Sequence, residues 1–86
     1  MKVHIPNPLQ SYTKNIKAVE SFGSTIEEVL NNLEIQFPGI KFRMINEQDE
    51  IRKHIRIFIN QNLIDTLDVP VLDNDEIHII TALSGG

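Results

Sequence analysis

The sequence predicts an α+β domain in which one main helix packs across a single mixed β-sheet, in the order ββαβββ. Three observations predict this fold class. The 86 residues have room for only one small domain. Apolar residues alternate with polar ones near both ends of the chain, and one stretch between them carries apolar residues at helical spacing. A content of 41% hydrophobic and 23% charged residues is typical of a globular chain.

The first third of the chain predicts two strands. Residues 1–5 alternate between apolar and polar side chains, which indicates a strand. Pro6 and Pro8 end it, because proline donates no backbone hydrogen bond to a sheet. Residues 16–22 form a second strand candidate, and the polar stretch 10–15 before it is predicted as a loop. The two strands therefore form an N-terminal hairpin with a long connection.

The clearest helix follows these strands. Ser24 with Glu27 forms a capping box, and Thr25 with Glu28 offers the same pattern one residue later. Apolar residues then recur at helical spacing, as Ile26, Val29, Leu30, Leu33 and Phe37. Pro38-Gly39 ends the helix. The apolar stripe indicates a face buried in the core, not a cofactor site.

The second half of the chain predicts further strands after an irregular stretch. Residues 40–50 have no clear period and are expected to hold one short helical turn that buries either Phe42 or Ile45. Residues 55–59 are a strong β run. A turn then leads to a short strand at Leu63-Ile64.

The last strand is predicted at residues 77–81, after a tight turn at 73–75. Asn74 in that turn is expected to adopt a left-handed conformation, which asparagine tolerates. By strand parity Phe58 and Ile80 face away from the helix. With Leu83 nearby they form an exposed apolar patch that predicts a partner-docking surface beside the end of the chain. The alternatives are cover by a loop or self-association.

The charge is divided unevenly along the chain. All eight basic residues lie in residues 1–56, whereas residues 57–86 hold five acidic residues and no base. These acids, Asp73 and Asp75 among them, are predicted to rim the apolar patch and to orient a basic partner. The alternative is a solvated acidic loop region. A net charge of −4 argues against nucleic acid or an anionic membrane as a partner.

The composition also bears on compartment. The chain contains no cysteine, which is typical of a reducing cytosol. No apolar run approaches the roughly 18–20 residues of a membrane span, and the N-terminus lacks the pattern of a signal peptide. A cytoplasmic protein is expected.

The chain divides into a folded domain, residues 1–82, and a flexible tail, residues 83–86, with the sequence Leu-Ser-Gly-Gly. Serine and two glycines have little surface to pack, so the tail is expected to stay extended and mobile. A tail that ends in two glycines can enter a narrow channel of a partner enzyme, where a Cβ would collide. The alternative is an ordinary frayed terminus.

Several stretches match a known family in their order and spacing. They are His4–Leu9 with Tyr12-Thr13, Gly23–Ile26 with Val29–Leu33, Phe37–Ile40, Ile57–Asn60, Asp73–Ile77 and Gly85-Gly86. In this order, and over essentially the whole chain, they resemble the ubiquitin-like sulfur carriers grouped with ThiS and MoaD, and within that group the CysO-like members. The resemblance implies a ubiquitin-like β-grasp fold.

The resemblance also implies a function. An E1-like adenylyltransferase would use ATP to adenylate the carboxylate of Gly86, and sulfur would then displace AMP to leave a thiocarboxylate. Leu83, Ser84 and Gly85 would thread the tail into the partner's active site. The acceptor would be a cysteine-synthase-like enzyme or the large subunit of molybdopterin synthase. Because the chain ends at the glycine pair, no protease would be needed to expose it.

Two related functions remain open for the same tail. The chain could be the small subunit of molybdopterin synthase, or a protein modifier conjugated to lysines through Gly86. In each case it is expected to bind no cofactor of its own and to act as a co-substrate, not as an enzyme.

Other site chemistry has weaker support. His4 and His78 both face outward, on the first and last strands, which are neighbours in a ubiquitin-like sheet. Two histidines without a third ligand make a poor zinc site, so no metal is predicted and two ordinary surface histidines are expected. The residues suggest no catalytic triad, and isolated Gly23 and Gly39 make no phosphate-binding loop.

Overall fold

A computed structural model describes residues 1–82 of the chain. The elements in chain order are β1 (Lys2–His4), a 3₁₀ helix (Asn7–Thr13), β2 (Ala18–Glu20), α1 (Ile26–Gln36), α2 (Ile40–Met44), β3 (Ile55–Ile59), β4 (Asn62–Ile64) and β5 (Glu76–Thr81). The predicted order ββαβββ is confirmed, with the short α2 added. The predicted tail, residues 83–86, lies outside the described residues, so the boundary at residue 82 stays a prediction.

The five strands form one mixed sheet in the order β2-β1-β5-β3-β4. β1 and β5 are parallel, and every other neighbouring pair is antiparallel. The central position of β5 places it between β1 and β3, with His78 level with His4 on one side and with Phe58 on the other. The first and last strands are thereby joined, and the fold is the β-grasp that the sequence predicts.

The core lies between α1 and one face of the sheet. The helix stripe of Ile26, Val29, Leu30 and Leu33 is fully buried. It belongs to the same hydrophobic cluster as the inward-facing strand residues Val3, Ile57, Ile77 and Ile79. Alternation of buried and exposed residues along β3 and β5 matches the predicted parity. One sheet face is therefore covered by the helix, and the other remains available.

Only one of the two candidate capping boxes begins α1. Thr25 is the N-cap, and its side chain accepts a hydrogen bond from the backbone N–H of Glu28. The Glu28 carboxylate in turn accepts hydrogen bonds from the backbone N–H and the hydroxyl of Ser24, at 2.9 and 3.0 Å. These bonds, the backbone one foremost, lower the pKa of Glu28. The prediction of a Ser24–Glu27 box is wrong, because Ser24 lies one residue before the cap.

The first loop is more ordered than predicted. Residues 7–13 form a 3₁₀ helix with Pro8 in its first turn, although residues 10–15 were expected to form a loop. Its Leu9 and Thr13 side chains are buried, and the Thr13 hydroxyl lies 2.8 Å from the carbonyl of Ile16, to which it donates, and 3.2 Å from that of Gln10. The polar sequence has no apolar helical period, so periodicity does not predict this helix.

The structure decides two local points of the sequence prediction: which side chain the short helical turn buries, and whether Asn74 is left-handed. Ile45 is buried whereas Phe42 is 53% exposed, so the short helical turn buries the former. Asn74 does not adopt positive φ, whereas Asn15 and Asn60 do, with φ of 64° and 55°. The turn before β5 is closed by the backbone N–H of Asp75, which donates to the carbonyl of Leu72. Within residues 1–82, no helix is long and apolar enough to cross a bilayer.

Candidate functional site

The uncovered face of the sheet carries an apolar patch, which we call the outer patch: Phe58, Leu63 and Ile80. Phe58 is half-buried, Leu63 is 57% exposed and Ile80 is 47% exposed. Phe58 lies directly opposite Leu63 on β4 and diagonally from Ile80 on β5. Diagonal neighbours lie about 7–8 Å apart, which an aromatic ring can span. The structure thus brings together the predicted Phe58 and Ile80 on one face.

Leu63 is the member of the outer patch that the sequence prediction omitted. β3 and β4 are joined by a two-residue connection at Asn60-Gln61, which fixes their register. That register puts Leu63 beside Phe58 on the outer face. The signal was present in the sequence, since the short connection by itself determines which residue faces which.

β5 ends beside a groove where the chain leaves the sheet. The backbone N–H of Ala82 donates to the carbonyl of His54 at 2.7 Å, which holds the last described residue against the segment before β3. The groove has a volume of about 590 Å³. We call it the tail-root groove, and its lining residues are Pro8, Leu9, Phe42, Arg43, Arg52, His54, Thr81 and Ala82.

The tail-root groove is cationic. The Arg52 guanidinium lies 4.6 Å from the ring centroid of Phe42, and its Nε donates to the carbonyl of that residue at 2.8 Å. Arg43 lies beside it, with its guanidinium 6.0 Å from the ring of Tyr12. Among the described residues neither arginine makes an ion pair. The groove could not be predicted from the sequence, because its arginines come from an aperiodic segment that only the tertiary fold brings to the end of β5.

The acidic residues singled out in the sequence lie at the other end of β5. Asp73 and Asp75 precede Glu76, where the strand begins, whereas the tail follows Thr81, where it ends. At about 3.3 Å per residue the six-residue strand separates these ends by roughly 16 Å. The predicted acidic rim is therefore not at the tail, and the charge near the tail is positive. A docking role for Asp73 and Asp75 elsewhere stays a prediction.

Asp75 has a structural task at its own end of the strand. Its carboxylate accepts hydrogen bonds from the backbone N–H of Leu72 at 2.8 Å and from the side chain of Asn60 at 3.0 Å. Both bonds favour the ionised form and lower the pKa of Asp75, the backbone bond more strongly. The side chain thereby ties the turn before β5 to the turn after β3.

The outer face also brings three metal-ligating side chains together. The rings of His4 and His78 stack with centroids 4.3 Å apart, as the predicted pairing of the first and last strands required. His4 Nε2 lies 2.7 Å from Glu76 Oε1, and this hydrogen bond is the main cause that lowers the pKa of Glu76. Glu76 is a third donor that the sequence prediction overlooked, although its position two residues before His78 puts it on the same strand face.

Comparison with known proteins places this geometry in a family. The profile of the ThiS family matches residues 3–86. The chain belongs to the ThiS family. It is also 27% identical over 89 residues to the sulfur carrier protein CysO of Mycobacterium tuberculosis, an alignment that covers 98% of this chain and 96% of that protein. The family match runs through Gly86 and so includes the predicted reactive tail.

Solved structures agree with this assignment to the ThiS family. A chain in the crystal structure of the Amycolatopsis orientalis BexX/CysO complex superimposes with a TM-score of 0.91 and 31% identity, covering 99% of this chain and 98% of that chain. Small archaeal modifier protein 1 of Methanosarcina acetivorans gives a TM-score of 0.81 and 26% identity, covering 99% and 94%. This ThiS-family protein is thus a ubiquitin-like β-grasp domain similar to CysO over its whole length.

Proposed function

We propose that this ThiS-family protein is a sulfur carrier whose reactive group is the carboxylate of Gly86. The observation that carries the proposal is similarity to the sulfur carrier CysO over 98% of the chain, with a family match that includes the terminal glycine pair. The fold supports it, since β5 leads the chain off a rigid sheet directly toward the tail. On this proposal the protein is a co-substrate of larger enzymes and not itself a catalyst.

The proposed chemistry takes place in partner enzymes. A carboxylate is a poor electrophile, so an E1-like adenylyltransferase joins a Gly86 oxygen to the α-phosphorus of ATP and pyrophosphate leaves. A sulfur nucleophile then attacks the carbonyl carbon, and AMP departs with the oxygen. The product is a C-terminal thiocarboxylate, whose sulfur passes to an acceptor enzyme. Leu83, Ser84 and Gly85 carry that group into a channel where a larger side chain would collide.

The docking part of the proposal rests on two adjoining surfaces. The outer patch supplies apolar contact area, and the tail-root groove supplies positive charge where the chain enters the partner. A partner is therefore expected to surround its channel with acidic residues that face Arg43 and Arg52. A basic partner was expected from the sequence, but Asp73 and Asp75 lie at the start of β5, away from Ala82, so they do not contribute charge to this groove.

The similarity to CysO favours delivery of sulfur for cysteine formation, with a cysteine-synthase-like acceptor. Delivery to molybdopterin as the small subunit of its synthase is the alternative within the same chemistry. A second candidate function is conjugation to proteins through Gly86, which the likeness to small archaeal modifier protein 1 supports. The higher TM-score with the chain of the CysO complex, 0.91 against 0.81, favours the carrier.

Mass spectrometry tests the proposal directly. The protein is purified after incubation with the E1-like enzyme of the same organism, ATP and a sulfide donor, and the intact mass is measured. The expected result is a species heavier by the mass difference between sulfur and oxygen. A chain lacking Gly86 should form none of it, while the matched variant Ser84→Ala should still do so. Free carboxylate here, together with conjugates on lysines in cells, would contradict the carrier and support the modifier.

A further inference from the structure

His4, Glu76 and His78 converge on the outer face of the sheet, between its two parallel strands. Their ligand atoms, the imidazole nitrogens and a carboxylate oxygen, all lie within 4.8 Å of one another. His4 and His78 are level partners across the β1–β5 ladder, and Glu76 precedes His78 by two residues on the same face. Backbone pairing therefore fixes the three attachment points.

This donor set has the chemistry of a zinc site. Imidazole nitrogen and carboxylate oxygen bind Zn²⁺ at about 2.0–2.2 Å, and three protein ligands with one open position are a recurring arrangement. In a tetrahedral site two such donors lie about 3.4 Å apart. The observed spread of up to 4.8 Å exceeds that separation by about 1.4 Å. Rotation of the half-exposed imidazole rings about their side-chain bonds supplies this difference without moving the backbone.

Some charged side chains near the cluster attract a cation, and others repel it. Glu76 supplies one negative charge, and the hydrogen bond to His4 keeps its carboxylate directed at the imidazoles. Lys2, level with Glu76 on β1, places a positive charge on the same face and opposes a cation. Phe58 is the level partner of His78 on β3, so an apolar residue neighbours the cluster on the side opposite His4. The two histidines are only partly buried and Glu76 is exposed, so an ion would enter from the solvent side.

We propose that His4, Glu76 and His78 form a binding site for a divalent cation of the zinc class. The site adjoins the outer patch, because His78 is the level partner of Phe58 and lies two residues before Ile80 on β5. A bound ion would thus add a positive charge to the surface through which we expect the protein to meet its partners. The site requires neither Gly86 nor an activating enzyme, so it stands or falls separately from the proposed carrier function.

Isothermal titration calorimetry of the untagged protein with ZnCl₂ tests the site. The expected result is one ion per chain. His4→Gln and His78→Gln should each weaken binding by at least about tenfold, since loss of a mere outer-shell partner already costs 10–100-fold. The matched control is His54→Gln, which changes the remaining histidine of the chain, an exposed residue outside the cluster. It should leave the affinity unchanged.

A second measurement covers the case in which a variant unfolds. Imidazole NMR signals of the wild-type protein are followed as ZnCl₂ is added, with those of His4 and His78 expected to shift together and those of His54 to stay. Wild-type affinity equal to that of the His4→Gln variant would overturn the proposal. So would Zn²⁺-induced shifts confined to His54, because the ion would then bind elsewhere.

Discussion

Ile79 and Ile80 are adjacent residues of one type on opposite faces of β5, so replacing each by alanine separates core packing from surface function. Ile79 is 3% exposed and packs in the main cluster, whereas Ile80 is 47% exposed on the outer patch. The strand, the residue type and the removed atoms are the same in both variants. Any difference in outcome therefore reports the face on which the side chain lies.

The expected free energies differ severalfold. A buried Ile→Ala change costs about 2–5 kcal/mol, because transfer energy is lost and a cavity remains. Full burial of an isoleucine is worth about 1.5–3 kcal/mol, so a side chain already half in solvent loses about 1 kcal/mol or less. A domain of this length has roughly 4–13 kcal/mol of total stability. Ile79→Ala should therefore remove a large fraction of it, and Ile80→Ala a small one.

Thermal unfolding followed by circular dichroism measures the difference. Each kcal/mol shifts the midpoint by about 4–8 °C for a domain of this size, so Ile80→Ala should lower it by less than about 8 °C and Ile79→Ala by more. Binding of folded Ile80→Ala to the activating enzyme should be weaker than that of wild type, since the outer patch has lost a side chain. Equal midpoint losses in the two variants would refute the assignment of faces.

Three further predictions concern charge, pH and close packing. Reversing Arg43 and Arg52 to glutamate should slow association with the activating enzyme about tenfold or more at low salt in stopped-flow measurements, because attraction in the tail-root groove becomes repulsion. Because the pKa values of Glu28 and Asp75 are lowered in the folded protein, both carboxylates stabilise the fold above the ordinary carboxyl pKa of about 4, and this stability is lost as the pH falls through the lower folded values. Glu28→Gln removes one of these groups, so its urea midpoint should depend less on pH in the acid range than that of wild type. Gly23→Ala should lower the free energy of unfolding in urea by about 1–3 kcal/mol, because a Cβ there would lie 2.7 Å from the backbone nitrogen of Val29 in α1.

Each of these predictions has an outcome that contradicts it. The charge-reversal effect should shrink in high salt, and an unchanged association rate at low salt would remove the groove from docking. If the urea midpoint of Glu28→Gln changes with acid pH as steeply as that of wild type, the ionisation of the Glu28 carboxylate does not contribute to the stability of the fold. An undiminished midpoint in Gly23→Ala would mean that the chain before α1 moves freely away from the helix.

Much of the fold could be predicted because its signals are local. The stripe of α1 and the alternation along β3 and β5 each repeat within one segment. Four of the five predicted stripe residues proved buried, and the fifth, Phe37, caps the helix end and is partly buried. The 3₁₀ helix escaped prediction because its sequence has no apolar period, and Leu9 is buried in the same hydrophobic cluster as residues of the distant α1 and β5. For the same reason the choice between Phe42 and Ile45 stayed open until the structure placed them.

On the candidate surfaces, too, local patterns predicted some residues, and others required knowledge of which strands are neighbours. Parity along single strands was enough to put Phe58 and Ile80 on the outer face. Strand neighbours were needed to add Leu63 to that patch and Glu76 to the histidine pair. Asp73 and Asp75 follow β4 in the chain, and only the structure shows that they lie at the start of β5 while Arg43 and Arg52 lie beside Ala82.

By itself the sequence determined the helix, the strands with their faces, and the glycine pair that the family match includes, because periodicity and tail composition are properties of neighbouring residues. Only the tertiary structure decided which groups stand together. It joined β1 to β5, set Glu76 beside two histidines, and placed Arg43 and Arg52 around the root of the tail. The physical reason is that sheet pairing and loop packing connect residues far apart in the chain, and no local pattern records those contacts.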